Sequence, residues 1–110
     1  MTCFTLATES IMRAVVVHQF TEYTNLEVED VPSPPAPGEG ELTLDIHACG
    51  VSFATHLMVS GRYQRKPPLP FTPGAEVAGV VSATGPGVTR FKPGDRVVAS
   101  LDWGGWAQQT

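Results

Sequence analysis

The sequence predicts a mainly β domain, a small curled sheet structure interrupted by one short helix. Three observations lead there. The 110-residue chain holds 11 glycines and 10 prolines, which break it too often for long helices. Between those breaks lie short, valine-rich runs that alternate in polarity, as half-buried strands do. Only residues 52–61 space their apolar side chains near a helical turn.

Taken in order, residues 1–11 (MTCFTLATESI) lack the basic start and long apolar centre of a secretory signal, and read as a mobile extension ahead of a domain that begins at Met12. RAVVVHQ (13–19) and LEVEDV (26–31) read as two strands. PSPPAPGEGE (32–41) is a loop, because so many prolines cannot donate to a sheet ladder. ELTLDIHACGV (41–51) alternates, with Leu42, Leu44, Ile46 and Ala48 on one face and Thr43, Asp45 and His47 on the other. The helix follows at 52–61, with Phe53, Leu57 and Met58 as its apolar side. GAEVAGVVSATG (74–85) and GDRVVAS (94–100) supply two more strands, the second entered through the turn Lys92-Pro93-Gly94-Asp95. No internal repeat is visible.

Composition narrows the function classes. A chain this short makes one domain with a modest core. Its 42% hydrophobic and 16% charged content, without a long apolar run, indicates a soluble globular chain with no membrane span. A net charge of −4, 7 basic residues against 11 acidic, argues against a nucleic-acid partner, since phosphate contacts need a basic surface. Cys3 and Cys49 are too few for a disulfide framework and form no CxxC pair, so a reducing, cytoplasmic setting is expected. One feature stands out: Glu76 lies in FTPGAEVAGVV, a run that otherwise reads as buried strand. A buried carboxylate needs a partner or a site to face.

The order MRAVVV, GELTLDIHACGVSFATHLMVSGRYQ, PGAEVAGVVSATGPGVTRFKPGDRVVAS and GGWA resembles the N-terminal domain of medium-chain dehydrogenases/reductases, and among them the zinc-independent, NADPH-dependent quinone oxidoreductases. The resemblance runs from Met12 to Thr110, about nine tenths of the chain. It implies a GroES-like, partly open β-barrel that packs on a Rossmann domain following it in sequence. That second domain is not in these residues: no GxGxxG occurs, and GPG at 85–87 is a turn. The resemblance thus implies the substrate-cleft half of a quinone or enone reductase. NADPH, hydride transfer to a small-molecule quinone or enone, and homo-oligomerisation belong to the full-length parent, whereas the 110-residue chain by itself is expected to be inactive, self-associating and without bound cofactor.

Carried over residue by residue, the resemblance implies the loss of the catalytic metal. Ser52, Phe53 and Ala75 stand where zinc-dependent relatives place a cysteine and two histidines, and these three cannot ligate zinc. His18, His47 and His56 are too scattered to replace them. Ser52, Phe53 and Tyr63 become the substrate or cofactor cleft. Tyr63, after the Ser60-Gly61 turn, is either a contact near the nicotinamide or a loop anchor. Arg62, Arg65 and Lys66 either steer an anionic cofactor or form a solvated loop. Ser52 and Thr55 replace an asparagine and an aspartate usual in these relatives, and His56 is either a proton donor or a surface residue of the helix. Glu76 is expected to pair with Arg96, or with a basic residue of the Rossmann domain. Two other classes stay open: a free-standing interaction module resembling a co-chaperonin subunit, and a ligand-binding barrel without chemistry.

Overall fold

The computed structural model describes residues 10–110. The expected N-terminal extension, with Cys3, lies outside them up to residue 9. Its last expected member, Ile11, is instead the first residue of a strand. Five strands and one helix follow in order: β1 (Ile11–Val15), β2 (Val28–Pro32), β3 (Leu42–Cys49), α1 (Phe53–Val59), β4 (Glu76–Thr84) and β5 (Arg96–Ser100), with a single 3-10 turn at Tyr23–Asn25. No helix among the described residues is long and apolar enough to cross a membrane.

The strands form two antiparallel sheets, β1–β2 and β3–β4–β5, and neither closes on itself. This is the mainly β, partly open arrangement expected. A strap at residues 106–110 ties the sheets together. On one side Val15 N–H donates to Trp106 O at 2.9 Å and Gln108 N–H to Arg13 O at 3.1 Å. On the other, Ile46 N–H donates to Gln108 O at 2.8 Å, while Leu44 and Thr110 exchange bonds of 2.8 and 3.1 Å.

Burial divides between two clusters. Val17, Met58, Val59 and Phe71 pack beneath α1, with Leu26, Tyr63 and Trp103 against them. Leu44, Val77 and Val81 form the inner face of the larger sheet, flanked by Leu42, Ile46 and Val97. Each fully buried side chain of this size contributes about 1.5–3 kcal/mol.

Two expected faces change. The β3–β4 register shifts twice: Ser82 of β4 is the extra residue between the Thr43 and Leu44 pairs, and His47 of β3 is the extra residue between the Ile46 and Ala48 pairs, where the alternation of β3 breaks. Beyond His47, Ala48 turns outward to solvent, while Thr43 is buried beside Leu44. An extra residue opposite one partner moves every later side chain to the other face. Gly79, opposite Ile46, permits this contact, because a Cβ there would lie 2.1 Å from Asp45 O. The buried stripe of α1 is Thr55, Met58 and Val59 rather than Phe53, Leu57 and Met58. Phe53 stands 75% exposed.

Candidate functional site

α1 begins where it does because Ser52 caps it. Ser52 is extended, and its Oγ accepts the Thr55 backbone N–H at 3.2 Å, so the hydroxyl satisfies a donor that the first turn cannot. The Ser52 and Thr55 hydroxyls also lie 3.0 Å apart. Seven residues are too few for a helix to persist unaided, so α1 owes its stability to the cluster beneath it. The serine ahead of a helical run was the signal for this cap, and a reading of Ser52 as a cleft residue alone passed over it.

The same end of α1 borders a cavity of about 140 Å³, lined by Ser52, Thr55, Tyr63, Arg65, Ala75 and Asp102 among others. Four stretches of chain supply these groups. Tyr63 stands half-buried at the edge of the helix-side core, as a loop anchor would, and also lines the cavity. Arg65 reaches 37 residues along the sequence to pair with Asp102 on the segment after β5. Gly74 closes the back with φ +108, a conformation glycine adopts freely, and a Cβ there would lie 2.6 Å from the Trp106 ring and 2.9 Å from Cys49 Sγ. Beside it the Trp106 indole N–H donates to Gly50 O at 3.1 Å, and Gly50 N–H to Glu76 O at 2.9 Å. Burial pushes the Cys49 thiol above its ordinary range; the Glu76 backbone N–H and the Trp106 indole oppose this in part.

Ser52 and Tyr63 of the expected cleft thus come together, and Phe53 does not join them. Phe53 lies against the His56 ring at 6.0 Å, and Tyr23 meets that ring edge-on at 5.3 Å. His56 is a half-buried residue of α1, with the Arg62 guanidinium 3.3 Å from its Nε2. His18 contacts Glu29 at 2.6 Å, far from this site in the chain. As metal donors the cavity offers the Ser52 and Thr55 hydroxyls, the Tyr63 phenol and one carboxylate already engaged by Arg65, while Ala75 contributes none. That set falls short of the converging nitrogen and sulfur ligands zinc needs.

The expected Glu76–Arg96 pair does not form. β4 and β5 align Glu76 with Ser100 and Val80 with Arg96, so the two charges are four positions, roughly 13 Å, apart along the ladder. Glu76 is also exposed rather than buried. Along β4, Val77, Gly79 and Val81 face inward, and Glu76, Ala78 and Val80 face the open side of the sheet. A carboxylate at the solvated end of a one-sided sheet needs no partner, and among the described residues no ion pair engages it.

Comparison with known proteins places this geometry among relatives. Residues 38–109 match the alcohol dehydrogenase GroES-like domain. Over 100 residues the chain is 45% identical to the human synaptic vesicle membrane protein VAT-1 homolog, covering 90% of this chain and 25% of that protein. Rat quinone oxidoreductase is 41% identical over 101 residues, covering 91% of this chain and 31% of its own length. The crystal structure of Escherichia coli quinone oxidoreductase complexed with NADPH superimposes with a TM-score of 0.81 at 32% identity, covering 89% of this chain and 30% of that one. The chain therefore spans about a quarter to a third of the length of these relatives.

Proposed function

The chain belongs to the alcohol dehydrogenase GroES-like domain family, and we propose that residues 12–110 form the substrate-side half of a zinc-independent, NADPH-dependent quinone or enone oxidoreductase. The observation that carries this reading is the cavity at the start of α1, where Ser52 and Tyr63 converge on a space of about 140 Å³. In such an enzyme NADPH, when bound by an accompanying Rossmann domain, would supply the hydride. The chain's own part is to hold the carbonyl. Ser52 Oγ accepts from the Thr55 amide, and when the Thr55 hydroxyl also donates to it the Ser52 proton is free to point into the cavity. The Tyr63 phenol supplies a second donor. Two donors aimed at one oxygen stabilise the charge that develops there as a carbonyl is reduced. The donor set assigns no step to a metal. The cytoplasmic setting and an assembly of several copies remain parts of the same proposal.

A chimera tests the reading. Residues 10–110 replace the matching segment of the Escherichia coli quinone oxidoreductase, and NADPH oxidation by 1,4-benzoquinone is followed. Turnover is expected, and Tyr63→Phe lowers kcat/KM by roughly 2- to 13-fold, the worth of one hydrogen bond. A folded chimera that binds NADPH without turnover, or whose kcat/KM ignores Tyr63, would overturn the assignment.

A further inference from the structure

Resting on that reading of the cavity, we propose that Asp102 sets its charge preference. By pairing with Arg65 it cancels the cation that lines the cavity, so the site favours neutral carbonyl compounds over those carrying a carboxylate.

Arg65 and Asp102 are the charged residues among those lining the cavity, and they line it together with Ser52 and Tyr63. Other nearby cations do not serve. Arg62 turns away, its Nε donating to Ser60 Oγ at 3.0 Å and its terminal nitrogen lying 3.3 Å from His56 Nε2. Lys66 is exposed and does not line the cavity. An unpaired guanidinium at the rim of a carbonyl pocket is a ready receptor for a substrate carboxylate, because its planar fork matches two oxygens at once. Asp102 already engages one terminal nitrogen of the Arg65 guanidinium through its Oδ1, and its own charge repels a second anion.

The arrangement is a device of specificity rather than of stability. Both side chains are 63% exposed, and pairs this open contribute little to folding, so Asp102 can be replaced without unfolding the domain. Electrostatic complementarity at such a rim acts instead on which ligand is accepted. The volume of about 140 Å³ suits one six-membered ring, since a cavity of about 150 Å³ accepts benzene.

The test uses acetophenone and 4-acetylbenzoate, which share a ring and a ketone and differ in charge. Both are titrated into the isotope-labelled chain, and the amide resonances of Ser52, Thr55 and Tyr63 are followed. In the unaltered chain the neutral ketone binds more tightly. Asp102→Asn shifts the ratio of the two dissociation constants about 3- to 5-fold toward the carboxylate, an effect of the size exposed charges produce. Adding Arg65→Gln removes the shift, and high salt shrinks it. A ratio indifferent to Asp102, with both ketones still moving the cavity resonances, would sink the charge preference and leave the carbonyl site standing. Titrations in which neither ketone moves those resonances would sink the carbonyl site, and the charge preference with it.

Discussion

Two hollows in this molecule differ in what made them. The cavity at α1 is small and gathers Ser52, Tyr63, Arg65 and Asp102 from separate segments. The outer face of β3–β4–β5 carries a hollow of about 590 Å³, more than four times as large, floored by Ala48, Ala78 and Val98. Its volume follows from small side chains on a pleated surface. Two of its polar members, Glu76 and Ser100, are cross-strand partners at one end, where the ladder itself puts them side by side. The larger space is a by-product of sheet geometry. The smaller one has to be assembled by tertiary packing, and that convergence marks a site more reliably than volume does.

The contrast can be broken most forcefully at the packing beneath α1. Phe71, 5% exposed, packs in that cluster while its backbone exchanges bonds of 2.7 and 3.1 Å with Val17. Phe71→Ala is expected to cost about 3–5 kcal/mol in urea unfolding, because it empties the support of both helix and cavity. A loss below about 1 kcal/mol would mean that the cavity does not rest on this cluster.

Removal of the cap acts next. Ser52→Ala should cost about 1 kcal/mol, and Ser52→Asp, which also caps, should recover most of it. If alanine and aspartate destabilise equally, the hydroxyl does not serve the helix N-terminus.

On the sheet side the same measurement sharpens the difference from below. Val98 is 83% exposed, so Val98→Lys should stay within about 0.5 kcal/mol of the original. A much larger change would reveal that another surface covers this face in solution.

The smallest effect belongs to the turn that feeds β5. The Lys92 backbone N–H, bonded to Asp95 Oδ2 at 3.0 Å, and the Lys92 ammonium hold the Asp95 carboxyl below its ordinary range. A depressed carboxylate stabilises the fold above its unfolded pKa, and that stability is lost as pH falls through the lower folded value. The gap in urea midpoint between the chain and Asp95→Asn should be present at pH 6 and close in acid. A gap unchanged at pH 2 would refute the linkage.

Much of this was legible in the residues. The existence and order of five strands and one helix follow from glycine and proline spacing and from polarity period, both local properties. The turn at Lys92–Asp95 was equally plain. What escaped was non-local. The bulges that turn Ala48 outward depend on how β3 meets β4, and no pattern within β3 reveals them. Glu76 was misread because a run of glycine, alanine and valine looks buried on both faces, whereas one face of this sheet is open. The inward set of Val77, Gly79 and Val81 emerges only in the folded sheet, because Ala78 and Val80 between them are as apolar as they are. Ser52 and Tyr63 could be named from the resemblance. Their union with Asp102 could not, because an ion pair spanning 37 residues leaves no trace in either local sequence.

The strap at 106–110 has a kinetic consequence. Its bond from the Arg13 amide to the Gln108 side chain joins residues 95 apart in sequence, so forming the seam between the sheets requires the closure of a very long loop. Loop entropy rises only logarithmically, by about 0.6 kcal/mol for each doubling of length, so the seam is not weak once made. It is slow to make. Contacts of such high order confine the search to few productive collisions, and small domains dominated by them fold in milliseconds to seconds rather than microseconds. Among the described residues the inner edges of β1 and β3 are joined only through this strap, so the union of the two sheets into one domain depends on contacts of the longest range in the chain.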